Sequence, residues 1–136
     1  MSLLHFRRTF VEKMFALHGK VIRLRDEDHP LGRDARHYSD LHALAGEHEV
    51  RTMLASPEYL LIREDYDRNS REFFASSYRP PENLSFAQSV ALFPEGPLRA
   101  RIEAEYEEQC QLLFATADYP SLEEVLAGFL ELRQLL

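Results

Sequence analysis

Only one cysteine, Cys110, occurs in the chain, so no internal disulfide can form, and a reducing cytoplasm is the compartment this fits. No apolar run approaches the ~20 residues that a membrane-spanning helix needs. Arg7 and Arg8 open the sequence without a following uninterrupted apolar stretch or a small-residue cleavage site, so no signal peptide is expected. Glycine-rich phosphate loops are missing as well. No His-x-x-x-His pair falls on a predicted helix, and His37 and His42, five residues apart, diverge on one helix, so no metal site is expected. Ser39-Asp40 lies near histidines, but no strand-turn-helix elbow holds that serine, which excludes a hydrolase triad.

Lysine is scarce: of 16 basic residues, only Lys13 and Lys20 are not arginine. Compositional bias explains the arginines, and a chain that writes arginine has kept a compact ammonium at position 13. The net charge of −7 argues against a surface that binds nucleic acid throughout. That charge is uneven. Residues 1–51 hold nine Lys/Arg against eight Asp/Glu, giving +1, and residues 52–136 hold seven against fifteen, giving −8. All six histidines also lie in the first segment. An anionic ligand therefore belongs with the first third of the chain.

With 136 residues, 45% of them hydrophobic, the chain suffices for one domain with a real core. Leu3, Phe6, Phe10, Met14 and Leu17, widened by Leu4, Val11 and Phe15, predict an amphipathic helix over 3–18, with Gly19 ending it. Glu12 can pair with Arg8 one turn back. Asp26-Glu27-Asp28, His29-Pro30 and Gly32 predict a loop over 20–33, with a short extended piece at Val21–Leu24. A second helix is expected over 34–45 and a third over 47–55. A fourth starts at Ser56-Pro57, with serine as cap, and a break near 67–70 would divide it. Prolines bracket 76–97, whose middle reads either as a short strand or as an apolar loop packed on the bundle. Leu98, Ile102, Tyr106 and Leu113 predict a helix over 97–115. Ser121-Leu122-Glu123-Glu124 forms a capping box for a last helix that buries Leu122, Val125, Leu126, Phe129 and Leu130. The fold class is all-α, a compact bundle of five to seven helices over residues 1–136.

Chemistry concentrates at Arg33 to Leu41. On a helix, Arg33, His37 and Asp40 share one face, and Arg36 sits four residues before Asp40, within reach of its carboxylate. Tyr38, Leu41 and Ala45 line another, apolar face. Lys13 lies at the edge of the first helix's buried stripe, where its stem can pack while its head reaches a cleft. The same spacing also describes a solvated, salt-bridged surface.

Arg8-Thr9-Phe10-x-Glu12-Lys13, then Leu17-His18, a variable loop, and Arg36-His37-Tyr38-x-Asp40-Leu41 resemble the C-terminal half of the AbiEii-type nucleotidyltransferases. These are toxins of type IV toxin–antitoxin and abortive-infection systems. Arg71-Glu72-Phe73-Phe74, the proline-rich segment and Glu105-Tyr106 continue the resemblance more loosely. It implies a nucleotide-binding role for Lys13 and Arg36. Lys13 would meet the triphosphate as a point charge, and Arg36 would hold Asp40 or a phosphate. Asp40 would be the catalytic residue, orienting Lys13 or the acceptor, and His37 receives no catalytic role.

The resemblance further implies a nucleoside triphosphate with Mg²⁺, neither expected to bind tightly to this chain alone, a tRNA or protein acceptor, and an antitoxin partner. Family members carry a Gly-Ser turn, an Asp-x-Asp strand and a second acidic strand before this region. Asp26-Glu27-Asp28 cannot replace them, because it falls after the lysine, inside the variable loop. The expectation is a helical portion that completes a cleft with an N-terminal catalytic half and does not transfer nucleotides alone. The alternative is a non-catalytic interaction module that docks a partner through exposed apolar positions in 84–93.

Overall fold

Tyr38 and Tyr106, both fully buried, meet edge to face at 6.1 Å near the middle of the molecule, with Phe129 tilted against Tyr38. The helices are arranged around these rings. The computed structural model describes residues 3–113 and 118–136, and the side chains of residues 3–5 and 113 lie outside that description. Among the described residues six α-helices form and no strand does: α1 Leu3–Glu27, α2 His37–Ala45, α3 His48–Leu54, α4 Pro57–Phe73, α5 Gly96–Leu113 and α6 Leu122–Leu132. Short 3-10 turns cover Gly32–Arg36, Glu82–Leu84 and Arg133–Leu135. The all-α expectation therefore holds.

The first helix is longer than its sequence suggests. It runs through Gly19 to Glu27, so neither the stop at 19 nor the extended piece at Val21–Leu24 exists. Burial explains this, because Leu17, Val21 and Leu24 continue the helical period into the core. One interior glycine costs only about 0.5–1 kcal/mol against alanine, far less than two buried aliphatic side chains return. Asp28, at φ 54°, ends the helix in the left-handed region, and the His29 amide returns to the Arg23 carbonyl. The acidic triplet pairs with arginines: Asp26 with Arg25, Glu27 with Arg23 and Arg79, and Asp28 with Arg101.

α1 packs against α2, α3 and α4, while α2 packs against α6 and α5 packs on the Gly32–Arg36 turn. Glu105 of α5 fixes that turn by accepting from the Leu31 amide at 2.7 Å. The serine caps form as expected: Ser56 accepts from the Glu58 amide at 3.3 Å, and Ser121 accepts from the Glu124 amide at 3.1 Å. α4 runs unbroken through 67–70, where Asp67 pairs with Arg71 one turn on and Ser70 is buried. In α5, Ile102, Tyr106 and Cys110 form the buried stripe, and burial pushes the Cys110 thiol pKa up. The place of Leu113 on that stripe, and a continuation to 115, lie outside the described residues.

The proline-rich segment is an apolar loop. Phe86, Ala91 and Leu92 are fully buried and Leu84, Val90 and Phe93, partly buried, pack against the core, so most of the apolar content of 84–93 is turned inward. Helix side chains satisfy its backbone. Tyr38 donates to the Ala91 carbonyl at 2.7 Å, Arg63 to Leu84 at 2.7 Å and Arg133 to Ala87 at 2.8 Å. The Phe86 amide donates to the Leu136 carbonyl at 3.0 Å. Large exposed apolar side chains stand elsewhere, at Leu60, Leu61, Phe73, Phe74, Leu112 and Leu130.

Candidate functional site

Where α1 crosses the Gly32–Arg36 turn and α2, five ionisable side chains stand in a row. Lys13 Nζ lies 3.3 Å from Asp40 Oδ2, and Lys20 Nζ lies 3.5 Å from Asp34 Oδ2. His37 stands between the two carboxylates, with Nε2 3.4 Å from Asp34 and Nδ1 3.8 Å from Asp40. Both lysines project from one face of α1, because seven residues make almost two full turns. Extending α1 past Gly19 is what brings Lys20 into line with Lys13. Packing of Tyr38 and Leu41 into the core holds α2 with Asp40 towards α1.

The row opens to solvent. Lys13 is 28% exposed and Asp40 42%, so the pair is not sealed inside the bundle. His37 is the most covered member, and its pKa is lowered by burial first and by the Lys13 charge second, against the pull of Asp34 and Asp40. Nε2 is the ring nitrogen nearer a carboxylate, 3.4 Å from Asp34, an approach that does not meet hydrogen-bond geometry. Nδ1 is buried without a hydrogen-bond partner, its 3.8 Å approach to Asp40 being too long.

Arg33 and Arg36 sit elsewhere than the spacing suggested. Residues 32–36 form a 3-10 turn, three residues per turn, so the α-helical face assumed for Arg33, His37 and Asp40 does not extend back to Arg33. Arg33 is exposed, and Arg36 does not reach Asp40. The Arg36 carbonyl accepts from Ser39 Oγ at 2.8 Å, and its guanidinium makes no ion pair among the described residues. Arg8 meets Glu12 at 3.2 Å as expected, and also Asp65 of α4 at 2.8 Å, so its role is to tie α1 to α4.

The reading from sequence missed Lys20 and Asp34, although a signal was present: the chain's two lysines are spaced by seven. Among the described residues no three His, Cys, Asp or Glu side chains stand together to hold a metal ion. No helix among the described residues is long and apolar enough to cross a membrane.

Fold and site together define an all-α domain with an open, oppositely charged seam between two helices, rich in groups that handle anions. The chain matches, over residues 1–128, the family described as nucleotidyl transferase AbiEii toxin of type IV toxin–antitoxin systems, and it belongs to that family. Compared with curated proteins and with solved structures, it matches none.

Proposed function

We propose that this chain supplies the helical side of a toxin's nucleotidyltransferase site, binding the triphosphate of the donor nucleotide at Lys13. The carrying observation is the open Lys13–Asp40 pair across α1 and α2. An ammonium held at 3.3 Å by a carboxylate, and still in contact with solvent, is positioned without being consumed in a closed ion pair. Asp40 orients Lys13 or the acceptor. Arg36, half-buried and without an ion pair among the described residues, is available to a phosphate oxygen.

In this reading the chain is the C-terminal helical domain of the enzyme. A second half carrying the Gly-Ser turn and Asp-x-Asp strand supplies the ligands for Mg²⁺, an antitoxin restrains the toxin, and a tRNA in the cytoplasm is the acceptor. Chemistry of this kind rests on positioning and charge stabilisation of the transferring phosphoryl group, the work of a fixed cation.

The test joins the chain to a family half bearing those motifs and follows growth of producing cells. Lys13→Ala and Asp40→Ala should each abolish growth arrest and lower nucleotidyl transfer by about 10²-fold or more. Partly exposed ion pairs contribute only about 0–1 kcal/mol, so both variants should keep their helical circular dichroism. Undiminished arrest in either variant sinks the assignment of that residue.

A further inference from the structure

A cleft of about 310 Å³ opens between α1, α4 and the turn that follows α4, beside the charged row. Its floor is aromatic. Phe15 and Tyr66 stack at 4.4 Å, and Tyr78 lies 6.3 Å from both rings. At the mouth stands Phe74, 63% exposed, a ring with no aromatic partner in this stack. Lys20, Arg23 and Arg79 form the rim. Glu27 serves both arginines, at 3.6 Å and 3.7 Å, and Asp34 meets Lys20, so three cations face two carboxylates at the rim.

On its α1 side the cleft is lined by small residues, Ala16 and Gly19, which leave it room. Nothing in the fold demands glycine at 19. Its φ is not positive, and an added Cβ would meet only Arg79 atoms at 3.8 and 3.9 Å, ordinary contacts. What the missing Cβ does provide is open space in the cleft. Lys20 belongs to both features: it lines the cleft and ends the charged row, about 10 Å along α1 from Lys13 at ~1.5 Å per residue.

We propose that this aromatic, cation-rimmed cleft takes the base of the donor nucleoside triphosphate, with its phosphates running along α1 from Lys20 to Lys13. This deepens, and rests on, the function proposed above. A flat base needs an exposed ring to stack on and a path for attached phosphates, and Phe74 and Lys20, which line the same cleft, supply these. Stacking tolerates any base, so the cleft selects for a nucleotide over inorganic phosphate and discriminates weakly among bases.

The experiment is nuclear magnetic resonance titration of the full chain with three probes: inorganic tripolyphosphate, ATP or CTP, and a short single-stranded RNA. Tripolyphosphate should shift the amides around Lys13 and Lys20 alone. ATP and CTP should shift those and also Phe74 and Tyr78. Phe74→Ala, at an exposed position, should weaken ATP and CTP about fivefold to a hundredfold and leave tripolyphosphate unchanged. ATP and CTP binding to Phe74→Ala as to the parent chain overturns the base site and leaves the phosphate assignment standing. So does a shift of Phe74 and Tyr78 by RNA but by neither triphosphate, which would give the cleft to the acceptor. Absence of any Lys13-dependent shift with all three probes overturns the underlying reading and this inference together.

Discussion

His18 is a buried imidazole whose protonation works against the fold. It is 5% exposed, its Nδ1 shares a 2.7 Å hydrogen bond with Ser89 Oγ, and burial with the nearby Arg25 charge lowers its pKa to about 4. Unfolded, the imidazole titrates near 6.5, so between the two values the unfolded chain holds more protons. Its contribution is complete above about 6.5 and is lost as pH falls towards about 4, on the order of 3 kcal/mol in all. His37, lowered for the same first reason, acts in the same direction. Urea unfolding across that range should show stability declining with acidification. His18→Asn, which keeps a polar partner for Ser89, should flatten the decline. An unchanged slope in that variant would remove His18 as its cause.

At the scale of the element, α1 is where local and tertiary forces disagree. Gly19 is a poor helix former held in place by the burial of Leu17, Val21 and Leu24 on either side. Gly19→Ala should therefore raise stability by about 0.5–1 kcal/mol, read as a higher midpoint in thermal unfolding. A lowered midpoint would mean that the contact with Arg79 is tighter than its distances imply. The same substitution narrows the cleft, so stability and nucleotide binding should move in opposite directions. α1 also marks the limit of what sequence reveals. The ends of α4 and α6 were legible because caps are local: Ser56-Pro57 and Ser121 to Glu124 satisfy helix amides within four residues. The second half of α1 was not, since breaker residues from Asp26 to Gly32 dominate the local pattern and the burial that overrides them is long-range. Losing that half hid Lys20. Lys13 and Asp40 were singled out by helical spacing and again by the family motifs, and their 3.3 Å approach is the structure's addition. Arg36 was aimed at Asp40 on α-helical spacing, which the 3-10 turn does not keep.

For the whole molecule, the uneven charge of the chain is partly offset in space, since Arg7 and Arg8 pair with Glu58 and Asp65 of α4. The two lysines, the two carboxylates they meet and the imidazole between them all come from the first 40 residues, while the remaining chain carries the acidic excess. A net charge of −7 repels a polyanion at long range, so recognition must be won at short range, within about 10 Å at ordinary salt. The row of paired groups gives that encounter an unusual form. Asp34 meets the Lys20 ammonium as a phosphate oxygen would, an internal stand-in for the proposed ligand. Under the function proposed above, a triphosphate reaching Lys20 would have to displace Asp34, and its affinity would be the difference between two ion pairs. Asp34→Asn, which empties that place at Lys20 without changing its shape, should tighten tripolyphosphate several-fold by titration. Weaker binding in that variant would mean that the carboxylate holds Lys20 in position for the ligand, a scaffold and no rival.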